Sequence, residues 1–145
     1  MRCLIRLTST TVAGSSDTLE TLTRGMFRSM ECVDERRFRI DFRSSDDGNP
    51  DHVIATTVTV SASEAVIIRK GGGSSTMTIV PGETHPCLYE TGFGSLELEV
   101  AGKSIRLTEI DSEHFVAELS YDILSGGVLA CSNEIRLAIE PLGTP

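Results

Sequence analysis

From Ser95 to Val100 the side chains alternate without interruption: Leu96, Leu98 and Val100 fall on one side, Ser95, Glu97 and Glu99 on the other. A period of two describes a strand with one dry face and one wet face. The chain repeats that pattern from end to end. Cys3, Ile5 and Leu7 alternate with Arg2, Arg6 and Thr8, and Phe38, Ile40 and Phe42 with Arg37, Arg39, Asp41 and Arg43. Val58 and Val60, then Val66 and Ile68 set against Ile67 and Arg69, continue it, followed by Met77–Val80 and by Ile105 and Leu107. Phe115, Ala117, Leu119, Tyr121 and Ile123 share one face, and Ile135, Leu137 and Ile139 another.

Turn signals separate these runs at short spacing: Asp47-Gly48-Asn49-Pro50, Gly71-Gly72-Gly73, Pro81-Gly82, Gly92, Ala101-Gly102 and Ser125-Gly126-Gly127. Loops this short join antiparallel neighbours, because a parallel crossover needs a dozen residues or more. With no Trp and few aromatics, the core must rest on Val, Ile and Leu, which favour sheets. At 145 residues, one domain over 1–145 is expected: all-β, about eight to ten antiparallel strands, forming a sandwich or an up-and-down barrel whose closure removes exposed edges.

One segment carries a competing signal. Asp17-Thr18-Leu19-Glu20 has the cap and the following Glu that open a helix, and Leu19, Leu22, Met26, Met30 and Val33 recur at near-helical spacing. Against a helix over 18–31 stand Gly25 and the threonines at 10, 11, 18 and 21.

In the second half, Arg69, the glycine hairpin, Pro81-Gly82-Glu83, Tyr89-x-Thr91-x-Phe93-Gly94, Leu96-x-Leu98-x-Val100 and Leu119-x-Tyr121 occur in an order that resembles the YwiB-like family of uncharacterised bacterial proteins. The likeness spans about 52–140, with a looser match in the N-terminal third and a departure at Gly92, where the family commonly has Pro. The resemblance implies a calycin-like antiparallel β-barrel, related in shape to lipocalins. It also implies a strand over residues 17–30, and it brings no activity with it.

Composition narrows the function classes. A net charge of −8 disfavours polyanions and anionic membranes. The charge is uneven: residues 1–43 carry net +2 and residues 44–145 net −10. Arg36, Arg37, Arg39 and Arg43 could meet phosphates, but Asp41 interrupts the row, so a solvated strand face is expected and nucleic acid is not. Cysteines at 3, 32, 87 and 131 lack zinc-site spacing, so no metal or other cofactor is expected and the thiols are read as reduced, mostly buried hydrophobes. The apolar run near Met1 is too short for a signal peptide and no stretch approaches a membrane span; a cytoplasmic location is the expectation.

The chemistry-bearing residues are sparse. His52, His85 and His114 belong to no catalytic signature, and Asp111-Ser112-Glu113-His114 reads as a solvated loop. Glu97 and Glu99 are a wet face, Lys70-Gly71-Gly72-Gly73 is a hairpin rather than a phosphate loop, and Asp46–Asp51 is a turn rather than a calcium loop. The subtler signal is polarity on dry faces, where buried polar groups need partners or a wetted cavity. Tyr121 sits beside Leu119 and Ile123, Asn133 beside Ile135 and Leu137, Thr91 beside Tyr89 and Phe93. The leading expectation is a non-enzymatic barrel that binds a small molecule in or at its mouth through Tyr89, Thr91, Phe93, Tyr121 and Asn133, with Arg69 as an anion anchor. The alternative is an interaction module acting through an open edge or outer face as a homodimer; a hydrolase ranks third. A lumen above about 300 Å³ favours the first, while a lumen filled by Phe38, Phe42 and Phe115 beside an exposed apolar patch favours the second.

Overall fold

The structure is a computed structural model that describes residues 1–30, 35–46, 49–71, 73–91 and 94–142, with backbone alone for 45, 46, 49–52 and 91. Ten strands follow one another: β1 (Arg2–Ala13), β2 (Ser15–Met30), β3 (Arg37–Asp46), β4 (Asn49–Val60), β5 (Ala65–Lys70), β6 (Gly73–Ile79), β7 (Thr84–Thr91), β8 (Gly94–Glu109), β9 (Phe115–Ser125) and β10 (Val128–Pro141). Each pairs antiparallel with its neighbour in sequence, and β10 returns to β1, closing an up-and-down barrel.

The strand over 15–30 settles the competing signal in favour of the sheet. Gly14, at φ +85°, turns the chain so that β2 pairs with β1 residue for residue from Ala13–Ser15 to Arg2–Met26. That ladder supplies the hydrogen bonds a helix would have made internally, and the threonines pack well on a pleated surface. Gly25 is required at its place, since a Cβ there would run into the Asp41 carbonyl and the Ile5 side chain.

Alternation decides what fills the barrel. Ile5, Phe27, Ile40, Val58, Ile67, Val100, Leu119, Leu137 and Ile139 point inward and are buried, together with Cys3 and Cys87. At one end, the floor, three rings close the lumen: Phe38 and Phe115 lie with centroids 4.4 Å apart, Phe27 and Phe115 5.3 Å, Phe27 and Phe38 5.8 Å. Towards the other end, the mouth, burial fades along a single strand. Val100 is fully buried, Leu98 half-buried, and Leu96 52% exposed, so the alternation at 95–100 marks the inner face correctly while dryness holds only for its lower part.

Two seams interrupt the wall. β2 and β3 pair from Met30–Arg37 up to Gly25–Phe42 and then part, leaving Ser15–Arg24 with a ladder on its β1 side alone among the described residues. β6 and β7 pair only near the mouth, from Gly73–Thr91 to Ser75–Tyr89, and below that level Pro86 offers no amide to a partner. The turn at Pro81-Gly82 fills this second gap: Gly82 N–H donates to the Gly102 carbonyl at 3.0 Å and Gly102 N–H to the Glu83 carbonyl at 2.9 Å. A Cβ on Gly102 would collide with the Val80 backbone, and the β8 register shifts just beyond it, between Gly102 and Ser104.

Candidate functional site

Register assembles the mouth. One cross-strand row of inward-facing residues runs Phe42–Thr56–Arg69–Ser75–Tyr89–Leu96 across six strands. A second runs Gly102–Tyr121–Asn133–Thr11 on the remaining wall. Arg69 is the basic group in the first row; it is exposed, and among the described residues it has neither an ion pair nor a hydrogen bond. Tyr121 belongs to the second row, with its ring 5% exposed. Burial pushes its phenol up to about 12, and the Arg69 charge acts in the opposite direction. The Tyr121 hydroxyl makes no hydrogen bond among the described residues. A free guanidinium and a free phenolic hydroxyl therefore share the mouth, both offering hydrogen-bond donors.

Asn133 is differently engaged. Its Oδ1 accepts from Thr11 Oγ1 at 2.7 Å and its Nδ2 reaches Cys131 Sγ at 3.5 Å, so its polarity is satisfied within the wall. Tyr89 lines the mouth, 43% exposed. The Thr91 side chain, Phe93 and Cys32 lie outside the described residues. Of the six expected site residues, Arg69 and Tyr89 share one inward row and Tyr121 and Asn133 the other. Thr56, 5% exposed, and Ser75 join the first row through their register with Arg69. Thr56 keeps the inward parity of Val58 and Val60, a signal the sequence offered; that it would stand next to Arg69 depends on the β4–β5 register.

Other candidates resolve into structure. Phe38, Phe42 and Phe115 are buried inside the barrel. A concavity of about 480 Å³ lies on the outer wall instead, where Thr8, Arg136, Glu118 and Arg106 form one row and Thr10, Glu134, Ser120 and Ser104 the next. A second, of about 340 Å³, overlies the β6–β7 seam. The arginine stripe is partly committed: Arg36 binds Glu109 at 2.7 Å, and Arg39 binds Asp41, which also accepts from Thr57 Oγ1 at 2.7 Å. Glu97 is exposed, and Glu99 accepts from the Gly127 amide. Asp111 caps its own loop, accepting from the Glu113 and His114 amides while contacting the His114 ring. Burial raises the Cys3 and Cys87 thiols, disfavouring the reactive thiolate. Among the described residues, no group of three or more His, Cys, Asp or Glu is placed to hold a metal.

A closed ten-stranded meander with an apolar lumen and a polar rim defines the chain as an antiparallel up-and-down β-barrel protein. Residues 5–137 match the family described as a domain of unknown function, DUF1934, and the chain belongs to that family. The crystal structure of the ywiB protein from Bacillus subtilis is similar over 99% of this chain and 92% of that one, with a TM-score of 0.80 and 22% identity; at that identity the likeness speaks for the fold. The YwiB-like resemblance and the closed antiparallel barrel expected from it therefore hold. No curated protein matches the chain.

Proposed function

We propose that the protein binds a small anionic molecule at the mouth of the barrel, without catalysis. The observation that carries this reading is Arg69, an inward-facing guanidinium that finds no carboxylate among the described residues of a chain holding 21 acidic residues and 13 basic ones. Three arginines of the outer surface are paired, Arg6 with Glu20, Arg36 with Glu109 and Arg39 with Asp41; what sets Arg69 apart is its inward register beside Thr56 and Ser75. A planar guanidinium suits a carboxylate or phosphate group, and the Tyr121 hydroxyl and Ser75 supply further donors. With the floor occupied by Phe27, Phe38 and Phe115, the ligand rests on the rim, held by one charged contact, against the Tyr89 ring. This is the shallow form of ligand capture that a calycin-like barrel permits.

The outer wall bears Arg106, Glu118, Glu134 and Arg136 while the lumen is apolar. That is the inverse of a membrane-spanning barrel and supports a water-soluble reading. Titration with inorganic phosphate and with citrate, followed by NMR of the tyrosine rings, tests the mouth. Binding that shifts Tyr89 and Tyr121 and weakens at least ~10-fold in Arg69→Ala, about 1.4 kcal/mol, is the expected result; the absence of any shift at millimolar anion sinks the reading. A second reading, self-association, has its own observation in the open edge of β2.

A further inference from the structure

The backbone of Ser15–Arg24 in β2 is paired with β1 on one side and, among the described residues, with no strand on the other; β3 touches it only at its lower end, where Thr23 Oγ1 donates to the Arg43 carbonyl at 3.3 Å. Ten residues of unpaired strand edge extend roughly 30 Å and present a row of free backbone donors and acceptors, a template for another strand. The segment contains no Pro and no Lys, and its ladder with β1 has no bulge; Asp17, Glu20 and Arg24 are its charged residues. It also exposes apolar side chains on both faces, Leu19 at 65% and Leu22 at 57%.

We infer that this edge pairs with the same edge of a second copy of the chain, joining two barrels through an antiparallel β2–β2 ladder about a two-fold axis. A two-fold axis sets residues of equal parity opposite each other, and side-chain chemistry selects among the few registers left. Centring on Glu20 would place two carboxylates face to face, which is destabilising. Centring on Leu19 sets Leu19 against its own copy, Thr18 against Glu20, Asp17 against Thr21, Ser16 against Leu22 and Ser15 against Thr23. This register uses nearly the whole open edge, puts no like charges directly opposite and covers the most exposed leucine of the strand. Centres at Thr21 or Leu22 shorten the ladder, because from Gly25 onward β2 is already bonded to β3.

Sedimentation equilibrium of the full chain, from low micromolar to near-millimolar concentration, reads the association directly; twice the 15.6 kDa chain mass is expected. Leu19→Lys brings two charges together on the axis and raises the dissociation constant by at least ~10-fold, while circular dichroism stays that of the folded barrel. With Cys32 and Cys131 replaced by Ser, Leu19→Cys crosslinks to its own copy under mild oxidation and Arg28→Cys does not, since Arg28 lies where β2 is covered by β3. Amide exchange at Ser15–Thr23 slows as concentration rises. A monomer at every concentration, or a dimer that survives Leu19→Lys and fails to crosslink at 19, overturns the proposal. Should Leu19→Lys fail to fold, the concentration dependence of exchange in the unaltered chain decides.

Discussion

The floor and the mouth of this barrel are built from the same strands and the same alternation, yet they obey different physics. At the floor, inward positions are Phe27, Phe38, Phe115, Ile5 and Val60, all buried and in mutual contact as one core. At the mouth, inward positions of β4 to β7 are Thr56, Arg69, Ser75 and Tyr89, and the apolar residue that follows them on β8, Leu96, is exposed. The lesson is that alternation specifies which way a side chain points and leaves open whether anything covers it. Covering depends on where the barrel ends.

The comparison breaks most visibly if the two ends respond alike to truncation. Phe115→Ala removes the ring at the centre of the floor and should cost about 3–5 kcal/mol in urea unfolding, whereas Tyr121→Phe, whose lost hydroxyl has no partner among the described residues, should cost under about 1 kcal/mol. Equal losses would mean the mouth is packed as the floor is.

Next in size is Gly102→Ala, which drives a Cβ into the Val80 backbone at the β6–β7 seam. A loss of about 1–3 kcal/mol is expected, and a neutral result would show that the turn at Pro81-Gly82 moves freely.

The mouth can be sharpened by titration. Burial raises Tyr121 to about 12 in the fold, against an ordinary value of 10.0. The folded protein therefore holds the phenolic proton where the unfolded chain releases it, and stability falls as pH rises from about 10 to about 12. Arg69→Ala, by removing the opposing positive charge, should move the ultraviolet titration of Tyr121 higher still; an unchanged curve would separate the two residues.

The smallest effect belongs to the outer wall. Burial works to raise Asp41, but the Arg39 and Thr57 hydrogen bonds prevail and hold it below the ordinary carboxylate range. Its contribution is present above about pH 4 and is lost as pH falls through the lowered value. Asp41→Asn should flatten the acid limb of the stability curve, while Tyr121→Phe leaves that limb unchanged.

Most of the strand architecture was legible because each half-buried strand writes its period into the chain, as Phe38–Phe42 and Phe115–Ile123 do. The segment over 17–30 was ambiguous because its leucines and methionines also fit a helical period; only the ladder with β1, a contact at a distance in sequence, decides it. At the site, the inward parity of Tyr89 and Tyr121 was readable, whereas that of Arg69, on a strand apolar on both sides, its place beside Thr56 and the satisfaction of Asn133 by Thr11 depend on pairing across strands. The outer groove and both seams were invisible for the same reason: they arise where paired strands converge or part.

The Pro81-Gly82 turn implies a mode of motion. Around most of the circumference the wall is fastened by long ladders, but between β6 and β7 the lower stretch is fastened by a turn that reaches across to Gly102 with a few hydrogen bonds. A cylinder stitched unevenly opens along its weakest stitch, so slow breathing of the barrel should begin there. Amides beside this gap would then take up deuterium before those of the β1–β10 ladder, and solvent would first reach the interior through the side wall rather than over the rim.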